Sequence, residues 1–146
     1  MKVTFEFRSM NIVEQISFKT EGYQIINITD KIQELVILHE FKRGLVNLSI
    51  LHTSASLIVQ ENASRDVLDD MRTFLSNLAP ESTNYLHNEE GLDDMPAHLK
   101  TLITNTNVTM SVTSNKLLLG VWQGIYLCEW RKHGQSRSVI AHLLGE

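Results

Sequence analysis

The stretch from His52 to His98 concentrates the side chains able to do chemistry. Three of the six histidines lie in it: His52, His87 and His98. Glu61, Asp69, Asp70, Glu89, Glu90, Asp93 and Asp94 are interspersed. Neutral imidazole is a common ligand for zinc and similar metals. Carboxylates add ligands, orient imidazoles from behind, or carry protons. The ten residues between His87 and His98 are too many for a zinc-finger or HExxH spacing. Spacing therefore leaves open whether the two share a site.

The elements that must position these groups follow from periodicity. Lys2–Arg8 alternates Val3, Phe5 and Phe7 with polar residues, which is a half-buried strand. Gln15–Thr20 and Tyr23–Asn27 are short strands joined by a hairpin turn at Glu21–Gly22. Thr29 or Asp30 caps a helix carrying Ile32, Leu35, Val36 and His39, and Gly44 ends that segment. Leu45–His52 returns to period two, with His52 extending the row of Val46, Leu48 and Ile50. On that pattern alone the favoured reading of His52 is a core or edge histidine with a satisfied hydrogen bond.

Ser56–Glu61 is the next strand, and a helix over Arg65–Leu78 follows, capped by Asn62 or Ser64. Asp66, Asp69 and Asp70 suit the start of that helix, where its dipole favours negative charge. Pro80–Asp94 lacks periodicity, as functional or mobile loops often do. Pro96 opens a helix to about Thr104. Val108–Thr113, the long run Leu117–Trp130 and Arg137–Leu144 are strands. Short strands with three helices interspersed predict an α+β single domain with a large, mainly antiparallel sheet. A literal hairpin of Leu45–His52 with Ser56–Glu61 puts His52 and Glu61 on the order of 15 Å apart, at ~3.3 Å per residue. Gln123 and Glu129 are likewise six residues apart on one strand. These groups serve different places, or the strands are bulged, or another subunit completes the site.

Composition narrows the class. A chain of 146 residues that is 42% hydrophobic and 21% charged is long enough for one domain with a real core. A net charge of −4 gives no support to nucleic-acid binding. The single cysteine, Cys128, cannot form an internal disulfide, and its apolar surroundings predict an inert thiol. No signal-like block or membrane-length apolar run is present, so the expectation is a soluble cytoplasmic protein without a membrane partner.

The ordered motifs carry a family resemblance. They are His52-Thr53-Ser54-Ala55, Glu61-Asn62-Ala63, Asp70, Tyr85-Leu86-His87, Asp94-Met95-Pro96-Ala97-His98, Leu119-Gly120-Val121-Trp122-Gln123, Glu129 and Arg137. This series resembles the YjbQ-like family, also called the secondary thiamine-phosphate synthase family, from about Gln15 to Glu146. Residues 1–14 read as an N-terminal extension of a single YjbQ-like domain spanning 1–146.

The resemblance implies a small α+β fold packed as a homotrimer, with shared polar residues meeting near the subunit boundary. It also implies a link to weak thiamine-phosphate synthase activity, which joins a pyrimidine diphosphate to a thiazole phosphate and expels pyrophosphate. Carried over, His52, His87 and His98 bind a divalent metal such as zinc or magnesium, or else form a basic cluster facing phosphate. Glu61 becomes a base or supporting group and Gln123 a donor. Arg137 takes a phosphate or carboxylate, its alternative being an ion pair with Glu129. Asp70 orients an imidazole or merely suits its helix start. Trp122 and Met95 are expected to be packing.

A metal would either neutralise a diphosphate leaving group or activate water for hydrolysis. The expected partner is a small phosphorylated molecule, although no GxxxxGK[ST] phosphate loop is present. A non-enzymatic trimer that binds a metal or phosphometabolite is the alternative function.

Overall fold

The computed structural model describes residues 9–146, so the alternating stretch Lys2–Arg8 lies outside the described residues. In chain order the elements are β1 (Met10–Lys19), β2 (Ile25–Asn27), α1 (Thr29–Leu38), β3 (Arg43–Ile50), β4 (Ala55–Glu61), α2 (Arg65–Leu78), α3 (Asp94–Ile103), β5 (Asn107–Thr113), β6 (Lys116–Leu117), β7 (Gln123–Glu129) and β8 (Ser136–Gly145). One sheet has five strands in the order β1-β8-β3-β5-β6, and a second has three in the order β2-β7-β4. Every pairing within them is antiparallel, as expected of this α+β chain.

Alternation explains the larger sheet. Val46, Leu48 and Ile50 on β3 point the same way as Val139, Ala141 and Leu143 on β8. They meet Leu57, Ile125 and Leu127 from one face of the smaller sheet, together with Ile32 and Val36 of α1. The opposite face of the smaller sheet presents Ile58, Tyr126 and Cys128 to Leu75 of α2 and Ala97 of α3. β4 and β7 are therefore buried on both faces, which erases the period-two signal. This is why Leu117–Trp130 reads as one strand. Its middle is instead a turn, in which the Gly120 N–H donates to Gln123 Oε1 at 2.7 Å, and regular pairing resumes only at Gln123. Burial pushes the Cys128 thiol up to about 12, consistent with an inert group. Among the described residues no helix is long and apolar enough to cross a membrane.

Three local expectations are corrected. α1 does start at Thr29, but Ile28 holds the capping position and the Thr29 hydroxyl accepts the Ile125 N–H at 2.8 Å. Gly44 does not end that helix, which stops at Leu38; it lies within β3 at φ +148°. Neither expected hairpin forms, because β1 pairs with β8, β2 with β7, β3 with β5 and β8, and β4 with β7.

The reason for the first divergence is a turn packed on a turn. The Thr20 N–H donates to the Gln135 carbonyl and the Tyr23 N–H to the Arg131 carbonyl, each at 2.9 Å. Two glycines allow that approach. A Cβ on Gly22 would fall 1.8 Å from the Lys132 carbonyl oxygen, and one on Gly134 would fall 1.9 Å from the Thr20 carbonyl oxygen. The second hairpin fails because β3 is followed by a crossing, Leu51–Ser54, whose Leu51 N–H bonds the Ser138 carbonyl at 3.0 Å. Gly22→Ala and Gly134→Ala are each expected to destabilise the fold by about 1–3 kcal/mol, as overpacking does. Urea unfolding measures this, and the double variant should cost less than the sum because both disrupt one contact.

Candidate functional site

α3 begins two residues before Pro96, earlier than the proline alone suggests. That start places Asp94 and His98 at i and i+4, one above the other on one helix face. The helix is seated by Ala97, which is fully buried, and by Thr104, whose hydroxyl donates to the Lys100 carbonyl at 2.6 Å and accepts from the Ser56 hydroxyl at 2.7 Å. Ser56 Oγ also accepts the Trp130 indole N–H at 2.8 Å. Lys100 Nζ lies 5.8 Å from the Trp130 ring centre and 5.9 Å from that of Tyr23. Burial lowers the pKa of that amine from its ordinary value.

Asp94 is the centre of the site and only 1% exposed. Its Oδ1 accepts Arg131 Nη1 at 2.6 Å, leaving Oδ2 to face two imidazoles. His87 Nε2 lies 2.6 Å from Oδ2 and His98 Nε2 lies 3.6 Å from it. The ring centres are 5.4 Å apart, and one ligand atom from each of the three residues falls within 4.8 Å of the others. His98 Nδ1 sits 2.9 Å from the Thr53 carbonyl oxygen. A carbonyl only accepts, so Nδ1 carries a proton and Nε2 is the ring nitrogen turned toward the cluster. Metal-binding histidines are commonly oriented in this way from behind.

Arg131 clips the preceding loop in place. Its Nε donates to Asp93 Oδ2 at 2.8 Å and its Nη2 to the Glu90 carbonyl at 2.9 Å. Burial by itself would raise the Asp93 carboxyl, but hydrogen bonds from the Lys132 N–H and the Arg131 guanidinium outweigh it and hold the pKa below the usual value.

His52 lies on the facing wall. Its Nε2 accepts the Ser138 backbone N–H at 2.8 Å, so that nitrogen is not free to ligate while the bond holds. Burial, then the positive charge of Arg137, lowers its pKa from 6.5.

Arg137 forms the ion pair that was its alternative role. It donates from Nε to Glu129 Oε2 at 2.6 Å and from Nη2 to Oε1 at 2.5 Å, both residues being buried. The same Nη2 reaches Ser54 Oγ at 3.1 Å. Glu129 also accepts the Thr20 hydroxyl and the Arg131 N–H at 2.8 and 2.9 Å.

An open cleft of about 680 Å³ brings together His52, His87, Asp94, His98, Arg131 and Arg137. Glu61, Gln123 and Asp70 are elsewhere in this protomer. Glu61 pairs with Gln123 at the far end of the smaller sheet, six register steps from the Ala55–Glu129 pair beside the cleft, or roughly 20 Å. Gln123 closes its own turn, and Asp70 stands exposed on α2. Trp122, expected as packing, is 63% exposed. The residues that sequence reasoning left out of the site are Asp94 and Arg131. The readable signal for Asp94 was the Asp94-x-x-x-His98 spacing, had the helix been started at Asp94.

The model of the family described as UPF0047 protein YjbQ-like matches residues 14–146. The chain belongs to the YjbQ-like family. A UPF0047 protein of Synechocystis is 43% identical over 134 residues, covering 91% of each chain. The YjbQ protein of Escherichia coli O157:H7 is 40% identical over 132 residues, covering 90% of this chain and 94% of its own. A YjbQ/UPF0047 structure from Clostridium acetobutylicum superimposes with a TM-score of 0.81 at 29% identity, covering 89% of this chain and 99% of its own. A structure from Sulfolobus solfataricus, titled a protein of unknown function, superimposes with a TM-score of 0.88 over 95% of this chain and 100% of its own; at 24% identity it speaks for the YjbQ-like fold alone.

Two outcomes are expected. Arg137→Met should cost about 3–5 kcal/mol in denaturant unfolding, because it strands the buried Glu129 carboxylate. Adding Glu129→Gln should recover part of that loss. For His52 the folded pKa lies below the unfolded one. The unfolded chain therefore binds more protons as pH falls below about 6.5, and the stability contributed by neutral His52 is lost downward through that range. An NMR titration of the His52 ring should show a midpoint below 6.5; a midpoint at or above it contradicts this assignment.

Proposed function

We propose that this YjbQ-like protein binds a divalent metal through His87, Asp94 and His98 and uses it on a small molecule held in the cleft. The observation that carries the reading is the approach of three ligand atoms within 4.8 Å of one another on one wall of that cleft. The fixed tautomer of His98 adds to it. Two imidazoles with one carboxylate suit zinc or another transition metal better than magnesium, which favours oxygen ligands and water. A centre with three protein ligands and an open side supplies Lewis acidity and an activated water. Arg131 holds the Asp94 carboxylate in place. His52, with Nε2 engaged by Ser138, has its proton on Nδ1, from which it can serve as a neutral donor.

Hydrolysis is the simplest reaction for such a site. Transfer with diphosphate release, as in thiamine-phosphate synthesis, calls for positive groups to hold the leaving group. Arg131 and Arg137 are both engaged by carboxylates, which favours the hydrolytic reading over the transferase one.

The non-enzymatic, trimeric binding protein is a second reading, favoured by the outer face of the five-stranded sheet. The outward residues from Leu45 to Ser49 on β3, Ser138 to Leu144 on β8 and Asn107 to Thr113 on β5 include no Asp, Glu, Lys or Arg. Absence of charge at the centre of a surface is typical of subunit contacts. A homotrimer is compatible with both readings, and a neighbouring copy would then be the source of any Glu61 or Gln123 near the cleft.

Elemental analysis of untagged protein tests the metal. Near-stoichiometric zinc, nickel, iron or manganese is expected, and His87→Ala/His98→Ala should lose it while keeping the sedimentation coefficient of the unaltered protein. No metal in either protein after equilibration with these ions would overturn the proposal.

A further inference from the structure

A second cleft, of about 520 Å³, adjoins the first and shares His52, Thr53 and His98 with it. The His98 ring therefore lines both. The chemistry of the two differs. The first is lined by Glu90, Asp94, Arg131 and Arg137, whereas among the described residues no carboxylate, ammonium or guanidinium lines the second. Its lining includes Met95, Leu99 and Leu102 of α3, together with threonines. Leu102 is 77% exposed and borders the groove.

Thr101 supplies an independent observation. It lines the same cleft and is only 6% exposed, yet its Oγ1 has no hydrogen-bond partner among the described residues. Helix threonines commonly bond back to the carbonyl four residues earlier, as Thr104 does to Lys100 at 2.6 Å. Thr101 does not. A buried hydroxyl without a partner is costly, and this one is shielded from solvent, so it marks the wall of the cleft and not a contact point for a ligand.

We infer that the two clefts are the halves of one ligand site, and that its substrate is an amphiphilic small molecule. The metal-binding head would sit at His87, Asp94 and His98. A hydrocarbon or aromatic body would lie past the His98 ring along Leu99 and Leu102. This rests on the metal reading above, and it names the substrate class: a carbonyl or carboxyl compound with an apolar body, in place of a uniformly polar phosphometabolite.

Two hydroxamates with the same chelating head test it. Acetohydroxamate has almost no body, and benzohydroxamate has a phenyl ring. Calorimetric titration of the zinc-loaded protein should show benzohydroxamate binding at least tenfold tighter, beyond the ratio the two show for zinc in buffer. Leu102→Asp, at an exposed position that folding tolerates, should abolish that advantage while leaving zinc stoichiometry and acetohydroxamate affinity unchanged. Protein that takes up zinc but binds both hydroxamates equally, or keeps the preference in Leu102→Asp, overturns this inference alone. Protein that takes up no zinc overturns the metal reading, and this inference with it.

Discussion

The buried pair of Glu129 and Arg137 is the constraint on which the rest of the structure depends. Glu129 closes β7 of the smaller sheet and Arg137 lies near the start of β8 in the larger one. A carboxylate this buried must have its acceptors filled. Here four donors fill them: two from Arg137, one from Thr20 and one from the Arg131 backbone. Arg137 also reaches Ser54 at the crossing between β3 and β4. One ion pair thus holds together both sheets, the turn after β1 and the segment that carries His52 and Thr53.

The cleft is assembled outward from that pair. Arg131 is two residues beyond Glu129, and its guanidinium draws Asp93, Asp94 and the Glu90 carbonyl to the end of β7. Asp94 then stands at the first turn of α3 with one oxygen committed to Arg131 and the other facing His87 and His98. Thr53, delivered by the crossing that Ser54 anchors, sets the His98 tautomer. Asp94 and His98 are therefore each held by a group that would not touch the ligand, as preorganised sites require. The charges are matched in the same way: both arginines beside the cleft are paired with carboxylates, which leaves the imidazoles and the Asp94 oxygen facing them as the groups open to a ligand.

Family membership was legible in the sequence, and so were most of the elements. β8, α2 and the class of fold follow from alternation and helical spacing because apolar residues recur with the period of each element, although of the α2 stripe only Leu75 is buried. The ordered motifs from His52 to Arg137 are those of the YjbQ-like family, and they include two of the three residues of the cluster as candidate ligands, His87 and His98. The choice between a phosphate-facing Arg137 and one paired with Glu129 was visible as a choice, though periodicity held nothing to resolve it.

What only the tertiary structure decided was which segments meet. β1 and β2 part because Gly22 and Gly134 let two turns touch backbone to backbone, a contact between residues over a hundred positions apart that no local pattern encodes. β7 hid its borders because burial on both faces leaves no alternation to read. Asp94 entered the site through a helix start two residues before the proline, and His52 took a backbone N–H from Ser138. Sequence determines which side chains are apolar, which can ligate and where a helix or strand is favoured. Long-range backbone pairing and the satisfaction of one buried carboxylate decide which of them share a cleft.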